Sequence, residues 1–354
     1  MNTTEKLNKP LVSLLIPCYN VERKVFRLFD SILNQTYNKF QIVIINDGST
    51  DETESIINQY GLKFKERGGE FKYIFQDNKG VAKACEAGLP YIKGDYLCWP
   101  DADDFYEPTC IERLVNFLEM NKEYSLVRCN ASVFSEKDLL KPIGTLAGIN
   151  PDRFKENNLI LDYIIEKNVY FAPICFMVRF SVFKEVNPHL YLFEGRTGQN
   201  YQMLLPLLYQ SKFGYIDECL CNYIIYKGSI SHIYHLSFHD KIKRVEDKHN
   251  CVFETLKRMR IPANEFKKYK YISFQKLYFE KCLTAYNYGK KQYYTEERPS
   301  INMREYVLKL SWPDRIVGVP FAFKVHSLFH NFVLFIKRRP EARKLYKYLR
   351  LVLK

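Results

Sequence analysis

Between Leu11 and Phe134 the chain alternates two hydrophobic periods that belong to different elements. Short, predominantly apolar runs at Leu11–Pro17, Phe40–Ile45, Phe71–Phe75, Tyr96–Trp99 and Leu126–Phe134 read as buried strands. Between them, Val25, Leu28, Phe29, Ile32 and Leu33 recur at spacings of three and four, which predicts a helix over 25–35. Helical patterns also follow at 81–89 and 108–120, and Ser49 with Glu52 three residues later reads as a capping box opening another helix. Strands alternating with helices imply an α/β fold, a mostly parallel sheet with helices on both faces.

In such sheets ligands bind outside the carboxyl ends of the strands. Three polar clusters fall at those ends: Pro17–Asn20, Asn46–Asp51 and Asp101–Asp104. Together they predict a nucleotide crevice. No Gly-x-Gly-x-x-Gly follows the first strand and no Gly-Lys-Ser/Thr appears, which argues against a dinucleotide site and a P-loop. In the third cluster, Trp99-Pro100-Asp101-Ala102-Asp103-Asp104, three carboxylates leave a buried strand within four residues. Burying them unneutralised costs several kcal/mol per ion. An all-oxygen cluster suits Mg²⁺ or Mn²⁺, a natural seat for a diphosphate. An EF-hand loop from Asp101 is excluded, because its sixth position needs Gly and holds Tyr106. A solvated acidic turn ahead of a helix opened by Pro108 is the plain alternative.

The 354 residues divide, by pattern, into a sheet-forming region over 1–235 and a helical, basic region over 236–354. The ten cysteines are scattered, and the one close pair, Cys219-x-Cys221, lacks zinc-knuckle spacing. With no recognisable signal peptide, the expectation is reduced thiols and a cytoplasmic setting. Much of the net charge of +13 sits at the end: from Arg304 onward twelve Lys and Arg stand against three acids, a net of +9. Leu345, Tyr348, Leu349 and Val352 keep helical spacing among Lys344, Lys347 and Arg350. That pattern suggests a basic amphipathic segment on an anionic membrane surface, so the expected location is peripheral, at the inner face of the cell membrane. An ordinary packed helix with a solvated basic face is the alternative. No recognised motif accompanies the charge, so nucleic acid is not an expected partner.

Three blocks carry a resemblance: Val12-Ser13-Leu14-Leu15-Ile16-Pro17-Cys18-Tyr19-Asn20, Val43-Ile44-Ile45-Asn46-Asp47-Gly48-Ser49-Thr50-Asp51 and Asp101-Ala102-Asp103-Asp104. In sequence and spacing they resemble family 2 glycosyltransferases with the GT-A fold, over about residues 10–135. The resemblance implies a Rossmann-like sheet and inverting, metal-dependent transfer of a sugar from a nucleoside diphosphate, a UDP-sugar in the first place. The acceptor it implies is a glycan or lipid-linked oligosaccharide of a bacterial surface polysaccharide. It further implies that Pro17, Tyr19, Asn20, Asp47 and Asp101 contact the donor nucleoside, and that Asp103 or Asp104 holds Mn²⁺ or Mg²⁺. Asn78-x-Gly80-x-x-x-Ala84 is similar to a further block whose Arg-Asn is replaced by Cys85-Glu86, leaving Lys83 as the basic donor contact. Where the family has an acidic pair with the catalytic base, this chain has Gln199 and Asn200. An amide cannot take a proton near neutral pH, so the nearby carboxylate Glu194 is the substitute. A last block matches Tyr223–Ser231 without its Arg and His, leaving His232 for the metal or diphosphate and Lys227 as an alternative diphosphate contact. Two other readings stay open: a sugar-nucleotide-binding protein without turnover, and a nucleotidyltransferase.

Overall fold

The computed structural model describes residues 9–148, 159–167, 169–194, 198–226 and 237–288. The first half follows the alternation in the sequence. Strand β1 (Val12–Cys18) leads to α1 (Val25–Leu33), β2 (Phe40–Asp47) to α2 (Thr53–Glu66), and β3 (Glu70–Gln76) to α3 (Val81–Gly88), followed by β4 (Tyr96–Cys98). These four strands are parallel, in the order β3-β2-β1-β4. Their wholly buried centre, Leu14–Ile16 and Ile42–Ile45, explains why the runs are apolar on both sides. Gly88 is required where α3 crosses the sheet, since a Cβ there would stand 2.3 Å from Leu15 Cδ1 and 2.6 Å from Ile45 Cδ1.

The second half makes the sheet mixed. After β5 (Phe105–Tyr106) and α4 (Cys110–Met120), the long β6 (Tyr124–Ser135) carries a short antiparallel partner, β7 (Gly144–Thr145). Helix α5 (Ile160–Ile165) precedes β8 (Phe176–Arg179), which lies antiparallel between β4 and β6. Helices α6 (Phe180–Val186) and α7 (Gln199–Gln210) then lead to β9 (Lys212–Ile225), parallel to β6 and antiparallel to β5. The order is completed as β4-β8-β6-β9-β5. Trp99 stacks on Phe176 of β8 with ring centroids 6.2 Å apart, so the residue opening the acid cluster is anchored in the core.

Helices α8 (Phe238–Arg258) and α9 (Ala263–Asn287) close the described chain. The described residues divide into two compact units: those up to 226 with 247–270, and 237–246 with 271–288. In the first unit Cys251 of α8 donates to the Gly198 carbonyl (3.1 Å) and Lys248 meets Glu166 at 3.0 Å. In the second, Lys281 meets Glu246 at 2.8 Å. No described helix is long and apolar enough to cross a membrane.

Candidate active site at the carboxyl edge of the sheet

The turns after β1 and β2 are tied together. The Asn20 N–H donates to Ser49 Oγ (3.1 Å), the Thr50 N–H to Asn20 Oδ1 (2.8 Å) and the Val21 N–H to Thr53 Oγ1 (2.8 Å). The Glu22 N–H donates to Asp51 Oδ2 (3.1 Å) and the Glu52 N–H to Glu22 Oε2 (3.0 Å). Asn20 adopts φ +49°, a left-handed conformation that Asn tolerates better than most residues. Tyr19 stands exposed at this rim, and Pro17 is half-buried at the end of β1. The expected capping box does not form. Helix α2 begins at Thr53, Ser49 serves Asn20 instead, and the Thr53 N–H donates to Asp51 Oδ1 (3.0 Å). Burial raises the Asp51 carboxyl, but hydrogen bonds from Thr53 and Glu22 outweigh it and hold the group below its ordinary range.

Asp47, at the end of β2, is buried with both oxygens in use. Oδ1 accepts from Gln76 Nε2 (2.6 Å) and the Lys79 N–H (2.9 Å), and Oδ2 from the Gly80 N–H (2.9 Å). The carboxylate folds the turn before α3 and sits at that helix's N-terminus, where negative charge is favoured. Gly48 follows with φ +73°, and a Cβ there would come 2.7 Å from the Asn78 nitrogen. The two turns therefore touch backbone to backbone.

The acid cluster is built differently. Asp101 is half-buried, and burial together with the Asp103 charge pushes its carboxyl up to about 7. Asp103 lies 3.6 Å from Lys24 Nζ. Burial raises its carboxyl and the Lys24 charge opposes the rise. Asp104 is 1% exposed; its Oδ1 accepts the Ile224 N–H of β9 (2.9 Å), while Oδ2 is buried without a hydrogen-bond partner. Burial, then Asp103 and Asp101, raise its carboxyl well above the ordinary range. Lys24 Nζ also lies 3.9 Å from the ring centroid of Tyr226, whose hydroxyl receives Arg27 Nη1 (3.1 Å) and donates to the Asp103 carbonyl (3.3 Å).

This arrangement fits a hard divalent cation. Mg²⁺ and Mn²⁺ take one or two carboxylates and complete their shell with water and phosphate oxygens. Asp103 and the open oxygen of Asp104 supply that much. The three aspartates do not converge as a complete ligand set: among the described residues, the one group of three with ligand atoms all within 4.8 Å is made of cysteines.

Lys83 and Glu86 face each other. Lys83 Nζ bonds both Glu86 carboxylate oxygens at 2.9 Å and lies 4.4 Å from the centroid of the Tyr191 ring. Glu86 Oε2 in turn accepts the Leu192 N–H (2.6 Å). The Gln202 side chain of α7 brackets Phe193, accepting from its N–H and donating to its carbonyl (3.0 Å). The strand of chain leading to Glu194 is thus pinned on both sides, and Glu194 itself is exposed. Gln199 opens α7, half-buried. Asn200 is committed at both ends: Trp99 Nε1 donates to its Oδ1 (3.2 Å) and its Nδ2 donates to the Phe171 carbonyl (2.8 Å). One donor and one acceptor are needed there, which an amide supplies and a carboxylate does not.

The fold therefore lines up Pro17, Tyr19, Asn20, Asp47 and Asp101–Asp104 along adjacent strand ends. Lys83 is brought to Glu86. His232, Lys227 and the basic tail lie outside the described residues. Sequence reasoning missed Lys24, Arg27 and Tyr226. Lys24 and Arg27 stand three apart where the first turn enters a helix, a spacing that puts both on one side.

Residues 13–186 match the model of glycosyl transferase family 2. An uncharacterized glycosyltransferase of Rickettsia prowazekii is 35% identical over 134 residues, covering 38% of this chain and 40% of that protein. The chain thus spans less than half the length of the first curated relatives it matches. Staphylococcus aureus TarS 1–349 in complex with UDP-GlcNAc superposes with a TM-score of 0.51 at 14% identity, over 88% of this chain and 91% of that one. The mannosyltransferase PcManGT of Pyrobaculum calidifontis, in complex with GDP-Man and Mn²⁺, gives 0.53 at 15% identity, over 90% and 86%. At those identities the likeness is one of fold.

Proposed function

The chain belongs to glycosyl transferase family 2 through residues 13–186, and on that footing we propose that it transfers a sugar from a nucleoside-diphosphate donor to an acceptor hydroxyl. The observation that carries this reading is the acid cluster at the carboxyl edge, with Asp104 Oδ2 buried and unpartnered beside the half-buried Asp101 and Asp103. A UDP-sugar is the donor assigned here, and the nucleoside-diphosphate sugars in the two superposed structures support that class.

Tyr19, Asn20, Asp47 and Asp101 receive the nucleoside, with Pro17 shaping the floor of the crevice. Asp103 and Asp104 hold Mn²⁺ or Mg²⁺, which when bound offsets the negative charge that develops on the departing diphosphate. Lys24 and Arg27 add fixed positive charge beside the same cluster. Glu194 accepts the proton of the acceptor hydroxyl as that oxygen attacks the anomeric carbon and the nucleoside diphosphate leaves with the bonding pair, inverting the configuration. Lys83 orients this segment through Glu86 and is kept as a donor contact. His232 is the candidate imidazole for the metal or diphosphate. The acceptor is a glycan or lipid-linked glycan, met at an anionic membrane surface by the basic tail.

The test is release of nucleoside diphosphate from a panel of UDP- and GDP-sugars, with and without Mn²⁺, in the presence of lipid-linked acceptor. Mn²⁺-dependent release that requires acceptor is expected. Tight donor binding with no release under any acceptor would favour the second reading, a sugar-nucleotide-binding protein. The amides at 199 and 200 are the observation behind that alternative.

A further inference from the structure

Three of the scattered cysteines of the sequence are gathered by the fold. Cys110 opens α4, Cys129 lies in β6 and Cys221 in β9, and all three are fully buried. The Sγ atoms of Cys129 and Cys221 are 3.4 Å apart and those of Cys110 and Cys221 3.6 Å apart, and all three lie within 4.8 Å of one another. These are not disulfides. They are near the edge of a tetrahedron of thiolates about a zinc ion, which at a Zn–S length of ~2.3 Å is about 3.8 Å. Backbone carbonyls just before β8 line the same spot: Cys129 Sγ donates to the Cys175 carbonyl (3.7 Å) and Cys221 Sγ to the Ile174 carbonyl (3.3 Å).

A second observation points at the same spot. Tyr106 pairs directly with Cys221 across β5 and β9, so the two side chains share a face. Its hydroxyl is buried with no hydrogen-bond partner. Cys110 sits at the N-terminus of an eleven-residue helix, where a thiolate is favoured over a thiol.

We propose that Cys110, Cys129 and Cys221 bind a Zn²⁺ ion in the core beneath the acid cluster. Soft thiolates in a closed, dry setting select such a cation over the hard one assigned to the aspartates. Bound there, it ties α4, β6 and β9 together. Strand β9 carries the Ile224 N–H that holds Asp104, and Tyr106 lies two residues beyond Asp104. The ion would enter as the chain folds and release protons from the thiols as it binds.

The experiment uses the full chain, purified in reductant without chelator or metal-affinity steps, and needs no donor. Elemental analysis is expected to find one zinc per chain, retained through dialysis against EDTA. An organomercurial should release it in step with thiol modification, read with a chromogenic zinc indicator. Chain produced in cobalt-substituted medium should show thiolate-to-cobalt charge-transfer absorption. Cys110→Ala, Cys129→Ala and Cys221→Ala should each lose the metal, while Cys85→Ala and Cys251→Ala, at buried cysteines elsewhere, keep it. If the cluster variants do not fold, the wild-type measurements still decide. Zinc no higher than a buffer blank, with no charge-transfer band, overturns the proposal and leaves the thiols as small packed hydrophobes. That outcome would not touch the donor site, whose own assay is nucleoside-diphosphate release.

Discussion

Asp47 and Asp104 are both buried aspartates near the carboxyl edge of one sheet, 3% and 1% exposed, yet their surroundings are opposite. Asp47 accepts three hydrogen bonds, two of them from backbone N–H groups of the turn it folds. Asp104 accepts one, keeps a bare oxygen, and shares its neighbourhood with two more carboxylates. A buried carboxylate with its acceptors filled is a piece of scaffold. One with an acceptor left open carries a desolvation cost that a cation relieves. The two residue types are identical, so what separates scaffold from binding group is the supply of N–H donors around them.

The hardest blow to this contrast comes from Asp104→Asn. The amide keeps the acceptor for the Ile224 N–H and removes a buried charge. Mn²⁺-dependent release of nucleoside diphosphate should be abolished while the thermal midpoint of the metal-free protein does not fall. Retained metal-dependent turnover would sink the assignment. Next is Glu194→Gln, which should lower turnover by about 10²–10⁴-fold, the usual contribution of a positioned base, with donor affinity near wild type. A normal rate would move the base elsewhere.

Asp47→Ala probes the satisfied side. It strands the donors of Gln76, Lys79 and Gly80, so denaturant melts should show a loss of about 1–3 kcal/mol, the cost of leaving buried donors unpaired. Nucleoside-diphosphate affinity should fall as well, by a similar amount. Loss of stability with unchanged affinity would confine Asp47 to folding the turn. The smallest expected effect is a pH slope. The Asp101 carboxyl is raised to about 7, above its unfolded value near 3.9. Between those values the folded state binds more protons than the unfolded one, so this group's contribution to stability falls as pH rises and levels off above 7. The stability difference between the metal-free wild type and Asp101→Asn, followed from pH 4 to 8, should therefore decline to about pH 7 and then flatten. A difference that does not change with pH would show that Asp101 is not so shifted.

The first half of the fold was legible because β1, β2 and β4 are buried on both faces and each ends in a polar turn, while β3 is the half-exposed edge strand. The apolar runs at Val12–Cys18 and Phe40–Asp47 had nowhere else to go. The two residues of β5 and the antiparallel insertion of β8 were not legible. Their partners lie far along the chain: Tyr106 pairs with Cys221, and Leu97 with Val178. Ser49 and Glu52 kept capping-box spacing, but a donor 29 residues away in sequence, the turn at Asn20, claimed the serine. Asn200 looked like a lost acid. Its two hydrogen bonds, to Trp99 and Phe171, show a position that requires an amide. The thiol cluster left no trace in spacing because helix α4, β6 and β9 meet only through the sheet order.

The knitting of the turns after β1 and β2 has a kinetic side. Asn20, Thr50 and Glu52 lie at the exposed rim, where peptide amides normally trade their protons with solvent through small independent fluctuations. Here the amides of Asn20, Val21, Glu22, Thr50 and Glu52 are each held by a side chain of the opposite turn or the helix entry beside it. Each is tied to a side chain across the gap, so freeing one means displacing the group that holds it. Their exchange is therefore governed by one shared opening in which the two turns part together. A surface rim built this way behaves, on the exchange timescale, as a single hinged piece rather than as two loops.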